Sequence, residues 1–273
     1  MNLHKTKIEW ATHTFNPVTG CLHGCEYCYA QKIAERFGAR EIYDPECQCQ
    51  RHLIERGMLK GTGKPLELDY PWKQKNKDGS VTNAAYPFGF EPTFHRYKLG
   101  EPQHWKKPRN VFVCSMADLF GDWVPLEWIQ EVFAACRKAP QHRYLFLTKN
   151  PKRYIELQLK GKLPKQHWYG TSVTRKDDRD FFAPGYNTFV SIEPILESFS
   201  DENHAAYRQM VQPWAILGAE TGNRKNKIVP KKEWITELVD YYSKFGYTKF
   251  FMKDSLRDLM GDDFRQELPW ENK

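Results

Sequence analysis

The second half of the chain alternates short apolar runs with longer, partly polar segments. The runs are rich in β-branched and aromatic residues and lie at 110–114, 144–147, 168–173, 188–192, 214–218 and 249–252. Segments with helical character lie between them, near 126–138, 151–160, 176–182, 201–211 and 231–245. Strands that alternate with helices in this way predict βαβ units and a parallel sheet.

Local signals support several of these boundaries. Asn150-Pro151 predicts a helix start, because asparagine is a common N-cap and proline is favoured at the first helical position. Nearer the N-terminus, residues 29–37 are predicted to form the first helix, ended by Gly38, and residues 12–15 the first strand. Six or seven strands with helices between them predict an α/β fold, a full or partial (β/α) barrel.

Residues 39–109 interrupt this rhythm. The segment contains prolines, glycines, many aromatic residues and a helical-looking piece at 48–57. We interpret 39–109 as an insertion after the first helix that packs on the barrel, so that residues 1–273 form a single domain.

Polar side chains follow almost every predicted strand. They are Ser115 and Asp118, Thr148 and Lys149, Thr171 and Ser172, Ser191 and Glu193, Glu220, and Lys253 and Asp254. Each alone has a structural explanation, such as a helix cap, a buried carboxylate or a solvated lysine. Together they predict one functional cavity, because the loops after barrel strands meet at the same face.

The composition indicates a folded protein, with 40% hydrophobic and 15% aromatic residues. No apolar stretch reaches the roughly 20 residues needed to cross a bilayer, and the N-terminus lacks an apolar signal core. We therefore expect a cytoplasmic protein that does not associate with a membrane. The net charge of +7 fits a nucleic-acid or nucleotide ligand without requiring one.

Three of the seven cysteines, Cys21, Cys25 and Cys28, fall within eight positions. Clustered cysteines in the cytoplasm bind metal more often than they form disulfides. A structural zinc site needs four ligands, and the candidates for the fourth are His23, Cys47 and Cys114. An iron–sulfur cubane suits the trio better, because three cysteines leave one iron open to a substrate or cofactor. Gly20 and Gly24 give this loop the backbone freedom to surround a cluster.

The loop resembles the signature of the radical S-adenosylmethionine (SAM) superfamily, C-x₃-C-x₂-C with an aromatic residue before the third cysteine. Cys21, Cys25, Tyr27 and Cys28 match it, and the loop follows the first predicted strand, as in the partial (β/α)₆ barrel of that superfamily. Other stretches resemble one subfamily, commonly labelled phage-related or of unknown function. They are T-K-I-E-W (6–10), F-N-P-V-T-G-C (15–21), W-K-K-P-R-N-V-F-V-C-S-M-A-D-L-F-G (105–121), V-S-I-E-P-I-L (190–196), G-A-E-T-G (218–222) and F-F-M-K (250–253).

This resemblance implies a [4Fe–4S] cluster held by the three cysteines, with SAM bound to the open iron. It also implies cleavage of SAM to a 5′-deoxyadenosyl radical that abstracts hydrogen from a substrate, with electrons from a reductant such as flavodoxin or ferredoxin. Most members carry Gly-Gly-Glu after the second strand to hold the amino group of SAM. This chain has S-M-A-D at 115–118 instead, so Ser115 and Asp118 are the candidates for that contact.

The resemblance also suggests roles for the other candidates. Tyr27 is expected near the adenine of SAM, and Ser172 and Glu193 are expected to contact its ribose or methionine part. Lys149, Glu220 and Lys253 are the candidates for substrate contacts or proton transfer.

A nucleic acid, for modification or repair, is the first choice of substrate. Basic and aromatic residues are interleaved at 72–77 and 94–98, which suits backbone contact and base stacking. The first stretch equally fits a solvated hairpin, because N-K-D-G-S (76–80) is typical of a turn. A nucleotide-like metabolite or a peptide is the alternative substrate. A non-catalytic zinc- or cluster-containing nucleic-acid-binding protein is the alternative function, and a partner protein that completes the site is left open.

Overall fold

The computed structural model describes residues 6–38, 41–43, 65–200 and 211–271. The chain divides into two compact units. One consists of residues 14–142, and the other consists of residues 143–273 together with the N-terminal segment up to His13.

The unit of residues 14–142 begins with the edge strand β1 and ends with a long helix. Its elements are β1 (His13–Phe15), β2 (Val18–Thr19), α1 (Tyr29–Phe37), β3 (Glu41–Tyr43), β4 (Leu66–Leu68), β5 (Lys73–Lys75), β6 (Val81–Asn83), β7 (Thr93–His95), β8 (Asn110–Val113) and α2 (Leu126–Arg137). Short 3₁₀ turns occupy Arg96–Lys98 and Glu101–His104. The predicted first helix and the strand before residue 114 are confirmed.

Two small sheets lie within this unit, in the orders β2-β7-β4 and β3-β5-β6. β5 and β6 form an antiparallel hairpin. In its turn, Ser80 donates hydrogen bonds from its backbone N–H and its hydroxyl to Asp78, and Gly79 adopts a φ of 81°. The hairpin interpretation of residues 72–80 is therefore confirmed. The helical-looking piece at 48–57 lies outside the described residues.

The unit of residues 143–273 contains a run of parallel strands. Its elements are β9 (Arg143–Thr148), α3 (Pro151–Leu159), β10 (Trp168–Val173), β11 (Asn187–Ile192), β12 (Trp214–Leu217), α4 (Lys232–Ser243), β13 (Lys249–Met252) and α5 (Arg257–Met260), with 3₁₀ turns at Asp254–Leu256 and Gly261–Asp263. Every pair from β9 to β13 is parallel. Asn150 and Pro151 occupy the cap and first positions of α3 as predicted.

One face of these strands packs against helix α4. Its apolar side chains include Val190, Ile192, Leu217 and Met252, which share a buried cluster with residues of α4. The amino-terminal half of the opposite face is filled by an aromatic cluster of Trp10, Trp168, Phe189, Trp214 and Trp270. Gly170 makes room for it, because a Cβ there would lie 2.2 Å from the ring of Phe189.

The N-terminal segment belongs to the same unit. Glu9 accepts a 2.7 Å hydrogen bond from the backbone N–H of Asp254, and Trp10 packs edge-on against Trp214. The T-K-I-E-W stretch therefore has a structural role, since it joins the beginning of the chain to the segment after β13.

Within the unit of residues 143–273, the five parallel strands lie in the order β9-β10-β11-β12-β13. The predicted α/β class, with parallel strands and helices of a partial (β/α) barrel, is confirmed. The organisation as a single domain with an insertion at 39–109 stays a prediction.

The helix predicted at 176–182 is wrong, because residues 176–177 form a turn and residues 178–182 have no regular secondary structure. Asp178 accepts hydrogen bonds from the backbone N–H groups of Thr174 and Arg175 and from the Thr174 hydroxyl. Such local side-chain bonds compete with helical hydrogen bonding. The helix predicted at 201–211 falls largely outside the described residues. None of the helices in the described part of the chain is long and apolar enough to span a membrane.

Candidate functional site

The cysteine loop runs from β2 into helix α1. Gly20 begins it with a φ of 86°, and its N–H donates to the carbonyl of Met116. A Cβ at Gly20 would lie 2.2 Å from the carbonyl oxygen of Glu91, so only glycine fits there. At the other end, Cys28 is the N-cap of α1, and its Sγ accepts a 3.3 Å hydrogen bond from the N–H of Gln31.

The three cysteines of this loop are all free thiols and are partly exposed. Burial, together with the smaller effects of the charges of Asp118, Cys25 and Cys28, raises the pKa of Cys21 to about 12. The three thiols therefore lie within electrostatic range of one another. In number and chemistry they fit a group that takes three thiolate ligands.

Metal binding requires these thiols to turn toward a common centre. Among the described residues, no group of three or more His, Cys, Asp or Glu side chains is arranged to hold a metal ion. His23, a candidate zinc ligand, is instead bonded to Asp118, with 2.7 Å between Nε2 and Oδ2. Its ring also packs edge-on against Trp123.

The S-M-A-D segment follows β8 and lies close to the cysteine loop. The Tyr29 hydroxyl donates a 2.7 Å hydrogen bond to the Ser115 carbonyl, and the Ser115 hydroxyl donates to Asn16. Asp118 is buried, with 6% of its side chain exposed, and also accepts a hydrogen bond from the Phe120 N–H. The structure thus brings Ser115 and Asp118 together with the start of α1. The contacts of Tyr29 and Asn16 could not be predicted from sequence, because each residue is more than 80 positions away from Ser115.

Cys114, at the end of β8, has a φ of 58°, a left-handed conformation that non-glycine residues rarely adopt. It is buried, and burial raises the pKa of its thiol to about 12. Cys114 is therefore a core thiol and a poor candidate for a metal ligand, while the position of Cys47 lies outside the described residues.

In the unit of residues 143–273, the strand register decides which polar side chains share a face. Ser172 is paired with Ser191, and Ser191 with Ile216. Residues paired in register in a parallel sheet project to the same face, and successive residues alternate between faces. Because Ile192 and Leu217 face the α4 side, Ser172 and Ser191 face the opposite side.

Thr171 lies on the helix-packed face. It is fully buried, and its hydroxyl accepts a hydrogen bond from the N–H of Phe181. The prediction that Thr171 lines a cavity is therefore wrong, and its role is to hold the segment after β10.

Four of the predicted site residues form two pairs on the opposite face, at or just beyond the carboxyl ends of their strands. Lys149 donates a 2.9 Å hydrogen bond to the Ser172 hydroxyl. Lys253 donates a 2.5 Å hydrogen bond to Glu193, and both side chains are largely buried, with 17% and 25% exposed. Gly218 lies between the two strands that carry this second pair, and a Cβ there would lie 3.1 Å from Cγ of Glu193.

Glu220 follows β12 and is bound by Arg224. Nε and Nη2 of Arg224 each donate a 2.7 Å hydrogen bond to a separate oxygen of the carboxylate, whose side chain is 2% exposed. Arg224 was missed by the sequence interpretation, although a glutamate and an arginine four residues apart are a common local pair.

The basic and aromatic stretch at 94–98 is not a stacking surface. Phe94 and His95 are fully buried, and Arg96 is bound by three carboxylates, those of Glu67, Asp69 and Glu131. Its predicted role in base stacking is therefore wrong. At 72–77, Trp72 packs against Phe88 and a small buried cluster, whereas Lys75 and Lys77 are exposed.

Two solved structures are similar to the chain. They are spore photoproduct lyase complexed with a dinucleoside spore photoproduct, with a TM-score of 0.45, and a variant of that lyase with the same ligand, with a TM-score of 0.46. Each is 10% identical, and each alignment covers 91% of this chain and 78% of the other. No curated protein sequence matches the chain.

A family model described as "Protein of unknown function (DUF5131)" matches residues 5–257. Since this match spans most of the 273 residues, the chain belongs to the DUF5131 family.

Proposed function

We propose that this chain is a radical SAM enzyme that acts on a nucleic acid or a nucleotide. The observation that carries the proposal is the loop of Cys21, Cys25 and Cys28, with Tyr27 before the third cysteine. It has the superfamily spacing, presents three free thiols and leads directly into α1. When bound, a [4Fe–4S] cluster and SAM would supply the one-electron chemistry that removes a hydrogen atom from the substrate.

The chain's own residues in the unit of 14–142 would hold these groups. The three cysteines provide the thiolates, and Gly20 allows the loop to turn toward β8. Asp118 is an acceptor of hydrogen bonds and is fixed by His23, so its carboxylate suits the ammonium group of a methionine. Ser115 adds a carbonyl and a hydroxyl, and half-buried Tyr27 adds an aromatic face for a base.

The two polar pairs of the unit of residues 143–273 offer groups suited to a nucleotide ligand. Ser172 and Glu193 offer hydrogen-bond acceptors for hydroxyl groups. Lys149 and Lys253 are donors suited to phosphate or base oxygens. The Lys253–Glu193 hydrogen bond also joins a proton donor to a proton acceptor, an arrangement suited to proton transfer.

The test is oxygen-free purification of the full chain, followed by iron and sulfide analysis and incubation with SAM and dithionite. We expect brown protein with about four irons per chain and formation of 5′-deoxyadenosine. Cys25→Ala should lose both the iron and the product. Cys136→Ala, which alters a buried thiol in α2 away from the loop, should keep both.

Two results would overturn the proposal. One is a colourless zinc protein without SAM cleavage, which would favour the non-catalytic nucleic-acid-binding alternative. The other is unchanged SAM cleavage in Cys25→Ala. Flavodoxin or ferredoxin as the physiological reductant is part of the proposal, and replacing dithionite by either protein and its reductase tests it.

A further inference from the structure

A basic loop of residues 221–231 follows strand β12 and Glu220. Its sequence, T-G-N-R-K-N-K-I-V-P-K, carries four cations and no acidic residue. The side chains of Lys225, Lys227 and Lys231 are exposed. The basic loop thus places three accessible positive charges in one short segment.

The basic loop is anchored at its start. Arg224 binds both oxygens of buried Glu220, and Gly222 between them adopts a φ of 88° that permits the turn. A bidentate arginine–carboxylate pair fixes orientation as well as distance. The Arg224–Glu220 pair therefore holds the backbone next to Lys225, and Lys227 follows two residues further along the basic loop.

In the part of the chain that the structure describes, no carboxylate forms an ion pair with the three lysines of the basic loop. Neighbouring Lys232, in contrast, is paired with Asp263 at 2.8 Å. Lys227 makes only a long 3.5 Å contact with the Gly222 carbonyl. An exposed set of unpaired lysines is suited to a ligand that carries several negative charges.

The position of the basic loop links it to the polar pairs. It follows the carboxyl end of β12, the strand that lies between those carrying Glu193 and Lys253. Loops that leave the carboxyl ends of parallel strands lie at one edge of the sheet. A chain of phosphates on the basic loop would therefore run past the edge where Glu193 and Lys253 lie.

From this placement we infer that the basic loop binds the phosphate backbone of a nucleic acid. The inference rests on the proposed function for its meaning, since it makes the substrate a polynucleotide and not a peptide or a single nucleotide. The basic stretch at 94–98 is less suited to this role, because Arg96 is already bound by three carboxylates.

The test compares two triple variants of the full chain in binding to a fluorescein-labelled single-stranded DNA of mixed sequence, followed by anisotropy. The test variant combines Lys225→Gln, Lys227→Gln and Lys231→Gln. The control combines Lys160→Gln, Lys162→Gln and Lys244→Gln, which removes the same charge from exposed positions in the connections from helices to strands, at the other edge of the same sheet.

We expect the test variant to bind about tenfold or more weakly than the parent at moderate salt, because phosphate contacts supply most sequence-independent affinity. The slope of log affinity against log salt should fall by about 2, since each phosphate contact on a single strand contributes about 0.7. The control should retain most of the affinity. Excess adenosine monophosphate should not displace the oligonucleotide.

The inference is wrong if the parent does not bind DNA, if the two variants lose affinity equally, or if the mononucleotide displaces the oligonucleotide. These measurements need neither the cluster nor SAM. A failure here leaves SAM cleavage by the chain unaffected, and a failure of SAM cleavage leaves the binding result standing.

Discussion

Lys253 donates a hydrogen bond to Glu193, which lies 60 residues earlier in the chain. Strand β12, which Gly218 follows, lies between the strands that carry the two residues. The pair is largely buried and lies on the face of the sheet away from α4. Glycine at 218 leaves the space that the two side chains occupy. Glu193 and Lys253, which follow the carboxyl ends of β11 and β13, therefore form one bonded polar pair and are not two independent side chains.

A double-mutant cycle with Glu193→Gln and Lys253→Met should give a coupling energy of about 1 kcal/mol or more, because the pair is shielded from water. Each single variant should lose more unfolding free energy than the pair interaction alone accounts for, since it leaves the other partner unpaired. Urea unfolding of the four proteins measures the coupling.

The exposed pair of Asp254 and Arg257, with more than half of each side chain accessible, is the control. Its cycle should give about 0.2–1 kcal/mol, the range for surface pairs. Equal coupling in the two cycles would contradict the assignment of the first as a buried unit.

Gly20→Ala should destabilise the protein far more than Gly24→Ala. Both glycines have positive φ, but a Cβ at Gly20 would overlap the backbone of Glu91, whereas a Cβ at Gly24 meets nothing within 4 Å. The second change should cost about 1 kcal/mol of conformational strain, and the first several times as much.

Thermal unfolding and iron content after oxygen-free purification check this pair. We expect Gly20→Ala to lose iron along with stability and Gly24→Ala to keep most of both. Equal stability of the two variants would show that the loop does not pass as close to Glu91 as the structure indicates.

Acid should destabilise the unit of residues 14–142 through His95. Burial, together with the charge of Lys98, lowers the pKa of this histidine well below 6.5. The unfolded chain therefore takes up the proton first, so the contribution of His95 to stability is present at pH 7 and is lost as the pH falls below about 6.5.

The expected slope is up to about 1.4 kcal/mol per pH unit for this one group. His95→Gln should reduce the slope of unfolding free energy against pH between 6.5 and the lower pKa, whatever its effect on stability at pH 7. Denaturant unfolding over a pH series measures it, and identical slopes for the two proteins would rule out His95 as the source.

Trp214→Ala should cost about 3–5 kcal/mol, the usual loss for a large buried aromatic residue. Trp214 is fully buried and contacts Trp10, Trp168 and Trp270. The matched change Leu159→Ala, at a side chain that is 82% exposed, should stay within about 0.5 kcal/mol. Calorimetry of both variants distinguishes a packed cluster from a loose one.

Strands β8 to β13 and most helices could be predicted because their signals are local, whereas the short strands β2 to β7 were not among the predicted apolar runs. Helix α1 has the predicted bounds 29–37, and the strands follow the apolar runs. The helix at 176–182 could not be rejected from sequence, because its loss depends on how Asp178 bonds to the backbone of Thr174 and Arg175. Asp178 bonds to N–H groups that precede the predicted helix and so holds a turn in its place.

The candidate site was predicted in part for the same reason. Residues that follow parallel strands share an edge, so Lys149, Glu193 and Lys253 were predictable as edge residues. The residues that they bind were not predictable, because strand register and the alternation of side chains between the two faces of the sheet decide which residues meet. Arg96 was predicted to contact a nucleic acid but is bound by carboxylates of the protein. Glu67 and Glu131 are distant in sequence, so the residues next to Arg96 do not reveal these ion pairs.

The hydrogen bond between Glu9 and Asp254 limits when the chain can finish folding during its synthesis. Glu9 and Trp10 leave the ribosome early in translation. Trp214, which contacts Trp10, and the backbone of Asp254, which binds Glu9, emerge more than 200 residues later. The unit of residues 143–273 therefore cannot be completed during translation until its own last strand has left the exit tunnel. Until then, Trp10 lacks its contact with Trp214, and such slow, non-local assembly leaves apolar surface exposed during synthesis.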